Sequence, residues 1–99
     1  MANTKQEAIA KIRSHVGARG GSYSQWYAGV TATPRERLFD GHAVEERNGV
    51  WIWVLCTTSA VAREVEDYFI AFGMQGGSGG GDANSRYVYA YKITRTTKE

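Results

Sequence analysis

Ninety-nine residues, 42% hydrophobic and 12% aromatic, suffice for one small domain with a real core. A net charge of +2 and a pI near 8.8 are compatible with nucleic acid without demanding it, since dedicated binders carry a pronounced basic patch. The one cysteine, Cys56, excludes an intramolecular disulfide and suggests a buried thiol in a reducing compartment. Lys5, Glu7 and Lys11 stand where a secretory leader would be apolar, and no stretch reaches the ~18 apolar residues of a membrane span, so the expectation is a cytoplasmic protein without membrane contact.

In chain order, the first element is a helix over about Thr4 to Val16. Thr4 and Glu7 have capping-box spacing, in which each side chain satisfies a backbone N–H left over at the helix start. Ala8, Ile9, Ile12 and Val16 share one face, and Gly17 is placed to close the helix. Arg19-Gly20-Gly21-Ser22 reads as a loop. A strand follows over about Gln25 to Thr31, built on the β-formers Trp26, Tyr27, Val30 and Thr31, with Gly29 inside it as a mark of close backbone approach or a bulge. Thr33-Pro34-Arg35-Glu36 repeats the capping-box pattern with proline at the first helical position, and starts a short helix that Gly41 ends.

Asn48-Gly49 marks a turn. Val50 to Cys56 is then continuously apolar on both faces, which predicts a strand covered on both sides and central in its sheet. Ser59 is placed to cap a helix over about Ala60 to Phe72, with Val61, Val65, Tyr68, Phe69 and Phe72 as its apolar stripe and Gly73 closing it. The glycine-rich run over 76–81 reads as a flexible loop. It has no Gly-Lys-Ser/Thr ending and leads into a strand, which rules out a P-loop. Arg86 to Thr94 alternates, with Tyr87, Tyr89, Tyr91 and Ile93 on one face and Val88, Ala90 and Lys92 on the other. The expectation is a single domain over residues 1–99 of the α+β class. Its order is α-β-α-β-α-β, with a small three-stranded, mainly antiparallel sheet flanked by about three helices.

The span Tyr27-Ala28-Gly29-Val30-Thr31-Ala32-Thr33-Pro34-Arg35-Glu36-Arg37-Leu38 puts a Tyr-x-Gly element on a strand and an arginine ten residues after the tyrosine. Val65-Glu66-Asp67-Tyr68-Phe69-Ile70 adds a glutamate on the next long helix, with Ala62 upstream. Taken together over residues 26–73, these elements resemble the core of the GIY-YIG nuclease family. Two positions depart from that pattern. Ser14 to Ser22, where the family's opening Gly-Ile-Tyr strand would fall, is Gly-rich and basic, and Ala28 replaces the usual middle apolar residue of the second motif. The expectation is that the C-terminal strand pairs where the missing strand would lie, with Tyr89 or a neighbour supplying the absent tyrosine.

The resemblance implies hydrolysis of phosphodiester bonds in DNA with one divalent ion. Glu66 would hold Mg²⁺ (or Mn²⁺) with waters completing the octahedron. Arg37 would stabilise charge on the pentacovalent phosphate, and Tyr27 would take a proton from the attacking water. His42, five residues after Arg37 and one off the family's usual spacing, would assist proton transfer. Arg35, Asn84 and Arg86 are the candidate nucleic-acid contacts.

Each residue also has an ordinary structural explanation. Glu66 sits where a solvated boundary carboxylate is common, Arg37 suits an exposed helix, and Tyr27 and the tyrosine row suit packing on a sheet. The scattered histidines and cysteine give no zinc spacing, and no serine sits in a Gly-x-Ser-x-Gly elbow. The alternative to a nuclease is a non-catalytic module that binds nucleic acid or a protein partner, such as an accessory protein of a phage or mobile element.

Overall fold

The computed structural model describes residues 2–76 and 84–98. The glycine run from Gly77 onward, and Asp82 after it, lie outside the described residues. The elements are α1 (Lys5–Arg19), a 3₁₀ turn (Tyr23–Gln25), β1 (Trp26–Thr31), a π-helical turn (Glu36–Gly41), β2 (Trp51–Leu55), α2 (Ser59–Ala71) and β3 (Tyr87–Lys92). The domain is therefore α+β, with three antiparallel-paired strands in one sheet and the helical segments around it.

Thr4 and Glu7 form the capping box that starts α1. The Glu7 N–H donates to Thr4 Oγ1 at 3.3 Å and the Thr4 N–H to Glu7 Oε1 at 2.9 Å. Ala8, Ile12 and Val16 are buried, as their spacing requires. The helix runs past Gly17 and ends at Gly20, whose φ of 85° only glycine adopts cheaply and whose N–H donates to the Val16 carbonyl at 2.8 Å. A helical glycine costs about 1 kcal/mol relative to alanine, too little to end a helix whose next turn can still form.

The expected cap at Ser59 lies one residue earlier: Thr58 Oγ1 accepts the Val61 N–H at 3.1 Å. The second capping box does not form, because the Thr33 N–H is taken by Thr31 Oγ1 at 3.0 Å and the Glu36–Gly41 turn has no side-chain cap. Gln25 belongs to the 3₁₀ turn rather than to β1.

The sheet order is β1-β3-β2, and β3 is antiparallel to both neighbours. The apolar segment expected at the centre is thus an edge strand. Its two apolar faces have different covers: Val54 and Ile52 join the core beneath α1 and α2, whereas Trp51 and Trp53 stack on each other at 5.1 Å, with Phe39 edge-on to Trp51. Coverage of both faces does not require two strand neighbours. β3 takes the centre, and its Val88, Tyr89, Ala90 and Tyr91 are all buried. Backbone pairing also occupies the outer sides of the flanking strands. Gln75 exchanges hydrogen bonds with Trp26 and Ala28 beside β1, and the Asn3 N–H donates to the Leu55 carbonyl beside β2.

The sheet separates two apolar clusters. One packs Trp26, Ala28, Val30, Val88 and Ala90 against the buried faces of α1 and α2. The other, on the opposite face, joins Leu38 and Val44 to Tyr89 and Tyr91, with Tyr27, Phe39, Trp51 and Trp53 around them. Among the described residues no helix is long and apolar enough to cross a membrane.

Candidate active site

The register of β3 against β1 sets the site. Tyr27 lies opposite Tyr91 and Gly29 opposite Tyr89, so three tyrosines of neighbouring strands share the face away from α1 and α2. The Tyr27 ring stacks on Tyr91 at 5.3 Å and on Tyr89 at 6.4 Å. Gly29 has a steric role here: a Cβ at this position would overlap the Tyr89 hydroxyl and ring. The missing side chain lets the Tyr89 phenol lie across β1.

The π-helical turn delivers His42 to the same place. In this turn the His42 N–H donates to the Arg37 carbonyl at 2.9 Å, an i→i+5 bond that accommodates one residue more than an α-helical turn. Next to His42, Ala43 has φ 56°, a left-handed conformation costly for a residue with a Cβ, and the chain bends there so that His42 is buried.

The imidazole is held from both sides. His42 Nε2 is 2.7 Å from the Tyr89 hydroxyl, and Nδ1 is 2.6 Å from the Lys98 carbonyl oxygen and 3.1 Å from the Tyr91 hydroxyl. A carbonyl oxygen only accepts, so Nδ1 carries the proton, and in the neutral ring Nε2 accepts from Tyr89. Tyr91 in turn donates to the Lys98 carbonyl at 3.2 Å. The Tyr27 ring lies 4.7 Å from the imidazole.

Two charged residues act on this cluster. The Tyr89 phenol is pushed well above its ordinary range, first by burial and then by the negative charges that Tyr27 and Glu66 can carry, while the Arg37 guanidinium opposes the shift. Tyr27, Arg37 and Glu66 therefore all lie within electrostatic reach of the hydroxyl that His42 accepts from. Arg37 is exposed, with its stem packed back on Gly41.

Glu66 is 6% exposed on α2, which contradicts the solvated-boundary explanation. Its carboxyl is raised from 4.5 to about 6, mainly by burial and further by Asp67, with Arg63 partly offsetting. A carboxylate so short of water gains from any cation placed beside it. No group of three potential metal-ligating side chains exists among the described residues. Glu66 is therefore part of no cage built wholly of protein side chains among the described residues.

The candidate nucleic-acid contacts divide. Arg35 lies 5.5 Å above the Phe39 ring and 5.8 Å from that of Trp53, and its guanidinium pairs with Glu46 at 2.7 Å. Trp53 is the direct cross-strand neighbour of Tyr89, so Arg35 borders the tyrosine cluster. Asn84 and Arg86 are exposed beyond the Tyr87 end of β3, near Cys56, at the opposite end of the strand from Tyr91. The structure thus gathers Tyr27, His42 and Tyr89, leaves Arg37 on the π-helical turn and Glu66 on α2 linked to Tyr89 through their charges alone, and places Asn84 and Arg86 beyond the far end of β3.

Two further residues contribute to the cluster. Tyr91 belongs to the same row as Tyr89, and only the position of His42 separates their roles. Lys98 contributes backbone atoms, which any residue would possess. No family model, no curated protein and no solved structure matches this chain.

Proposed function

We propose that this domain is a metal-dependent endonuclease of GIY-YIG type that hydrolyses phosphodiester bonds in DNA. The observation that carries the reading is the convergence on Tyr89. His42 is hydrogen-bonded to its hydroxyl at 2.7 Å and the Tyr27 ring stacks beside it at 6.4 Å, while the charges of Arg37 and Glu66 bear on it from farther away. The pairing of β3 beside β1 supports it further. The Ile93 N–H donates to the Gln25 carbonyl at 2.8 Å, so the end of the C-terminal strand lies beside the start of the Tyr-x-Gly strand, as the end of a preceding hairpin strand would. In this reading Tyr89, on the C-terminal strand, takes the place of the tyrosine that the resemblance expects ahead of Tyr27.

In this reading Glu66 would hold Mg²⁺ or Mn²⁺, which when bound supplies charge neutralisation at the phosphate. Arg37 presents a fork of donors to the phosphoryl oxygens, where negative charge grows as water attacks. Tyr27, half-buried at the rim of the cluster, would take a proton from the water as it gives its own phenolic proton inward, where His42 Nε2, reached through the Tyr89 hydroxyl, is the final acceptor. Arg35, on its aromatic ledge, holds the backbone of the nucleic acid.

The alternative, a non-catalytic module binding nucleic acid or a protein, draws support from one feature. Tyr89 is only 3% exposed, and the bulky Trp53 stands next to it. Incubation of supercoiled and single-stranded DNA with Mg²⁺ or Mn²⁺ separates the readings, run beside Glu66→Ala and Arg37→Ala. The nuclease reading expects metal-dependent cutting that both variants lose. Folded protein that never cuts, or cutting that persists in both variants, leaves the binding module. Affinity that falls steeply with salt would then indicate a phosphate-binding surface rather than an apolar dock.

A further inference from the structure

We infer that the chain segment following β3 is a working part of the site, with the backbone of Lys98 as the positioning element that commits His42 to one tautomer. Four observations support this. The Lys98 carbonyl oxygen lies 2.6 Å from His42 Nδ1, and the Lys98 N–H donates to the His42 carbonyl at 2.6 Å, so a single residue grips both the ring and the backbone of His42. Tyr91 donates to the same carbonyl at 3.2 Å and buttresses it from the central strand. The neighbouring Ala43 is held at φ 56°, a conformation that persists in a residue with a Cβ only where surrounding contacts over-determine it. Finally, Thr94–Thr97 is folded on itself, with Thr97 Oγ1 donating to the Thr94 carbonyl at 3.1 Å and accepting the Thr94 N–H at 3.0 Å. That turn brings Lys98 back over the sheet.

The chemical consequence follows from the donor inventory. With the proton fixed on Nδ1, Nε2 is an acceptor directed at Tyr89. When Tyr89 receives a proton on its oxygen, it passes its own to Nε2, and the imidazolium so formed keeps Nδ1–H on the Lys98 carbonyl. The carbonyl thus orients and steadies an acceptor imidazole, as the partner of a basic histidine commonly does. With the opposite tautomer, Nε2–H would point at the Tyr89 hydroxyl and could not accept its proton. The catalytic consequence rests on the nuclease reading, but the positioning itself does not.

The test needs neither metal nor DNA. Side-chain ¹⁵N chemical shifts of His42 at neutral pH, with His15 as a reference ring, identify which nitrogen is protonated. The expected result is Nδ1–H with a bare Nε2 in the full chain and in Lys98→Ala, which keeps the carbonyl. A chain ending at Thr96 is expected to show mixed tautomers. Nε2–H in the full chain, or an unchanged Nδ1–H in the shortened chain, would overturn the inference. If the shortened chain does not fold, the Lys98 carbonyl ¹³C shift in the full chain and in His42→Phe replaces it. An upfield move on losing the imidazole is expected, and no move refutes the contact.

Where cleavage is detected, the shortened chain is expected to lose about 10- to 100-fold, the usual effect of removing a histidine's orienting partner. A correct tautomer without cleavage would count against the nuclease reading and leave the strap intact. Cleavage with the wrong tautomer would do the reverse.

Discussion

Replacing Glu66 by glutamine isolates the cost of burying an ionised carboxylate under α2. The folded carboxyl titrates at about 6 against an ordinary value of 4.5, because burial disfavours its charged form and Asp67 adds repulsion that Arg63 only partly offsets. The folded state therefore binds this proton more tightly than the unfolded chain does. Below pH 4.5 the group is protonated in both states and destabilises nothing. Between pH 4.5 and about 6 stability declines, and above that the full cost is present. At about 1.36 kcal/mol per pKa unit, a shift from 4.5 to about 6 corresponds to about 2 kcal/mol at neutral pH in the absence of divalent cations.

Glutamine matches the shape of glutamate and does not titrate. Urea unfolding of both proteins, followed by tryptophan fluorescence from pH 4 to pH 8, gives a stability difference from which the other groups cancel. The variant is expected to gain about 2 kcal/mol relative to the parent between the two ends of that range, with the rise centred between pH 4.5 and about 6. A difference that stays flat with pH would refute the claim that burial destabilises the ionised Glu66 carboxylate, and with it the physical reason for placing a cation there.

The same pair of proteins tests the ion directly. Mg²⁺ at a hundredfold excess over its dissociation constant should stabilise the parent by about 2.7 kcal/mol at neutral pH, with no gain in Glu66→Gln; equal gains would place the ion elsewhere. Gly29→Ala forces a methyl into the Tyr89 ring and should cost about 1–3 kcal/mol in chemical denaturation, with a changed near-ultraviolet tyrosine signal; an unchanged signal would mean that Tyr89 does not depend on Gly29. Phe69→Ala, at a fully buried position between α2 and the sheet, should cost about 3–5 kcal/mol in the same measurement. Arg35→Ala removes an exposed ion pair with Glu46 and should change stability by less than about 1 kcal/mol, while lowering the salt dependence of DNA binding by about one phosphate contact. A salt slope equal to the parent's would remove Arg35 from the interface.

Local interactions made much of this fold readable. The Thr4–Glu7 box and the Ala8-Ile12-Val16 stripe of α1 depend on residues within a turn or two of one another, and both form; of the stripe expected on α2, Val65 and Phe69 are buried and Val61 and Tyr68 half-buried, whereas Phe72, at the helix end, is 59% exposed. The alternation of β3 likewise sends Val88 and Ala90 to one cluster and Tyr89 and Tyr91 to the other. Sheet order is a competition among strands distant in sequence, and the apolar pattern of Trp51–Leu55 records only that both faces are covered. Phe39 and the stacked tryptophans supply the second cover, so β2 sits at the edge and β3 between its neighbours.

The site divides in the same way. Residue type and spacing single out Tyr27, Arg37, His42, Glu66 and Tyr89. The meeting of Tyr27, His42 and Tyr89 depends on β3 pairing with β1 and on a π-helical turn whose extra residue carries His42 inward. Glycine at position 29 signals a close approach, but that Tyr89 makes it is a matter of register. The burial of Glu66 depends on how α2 seats on the sheet, since the same helical spacing serves a wet flank equally well. The grip of Lys98 on His42 uses backbone atoms common to every residue, so only the path of the folded chain could select it.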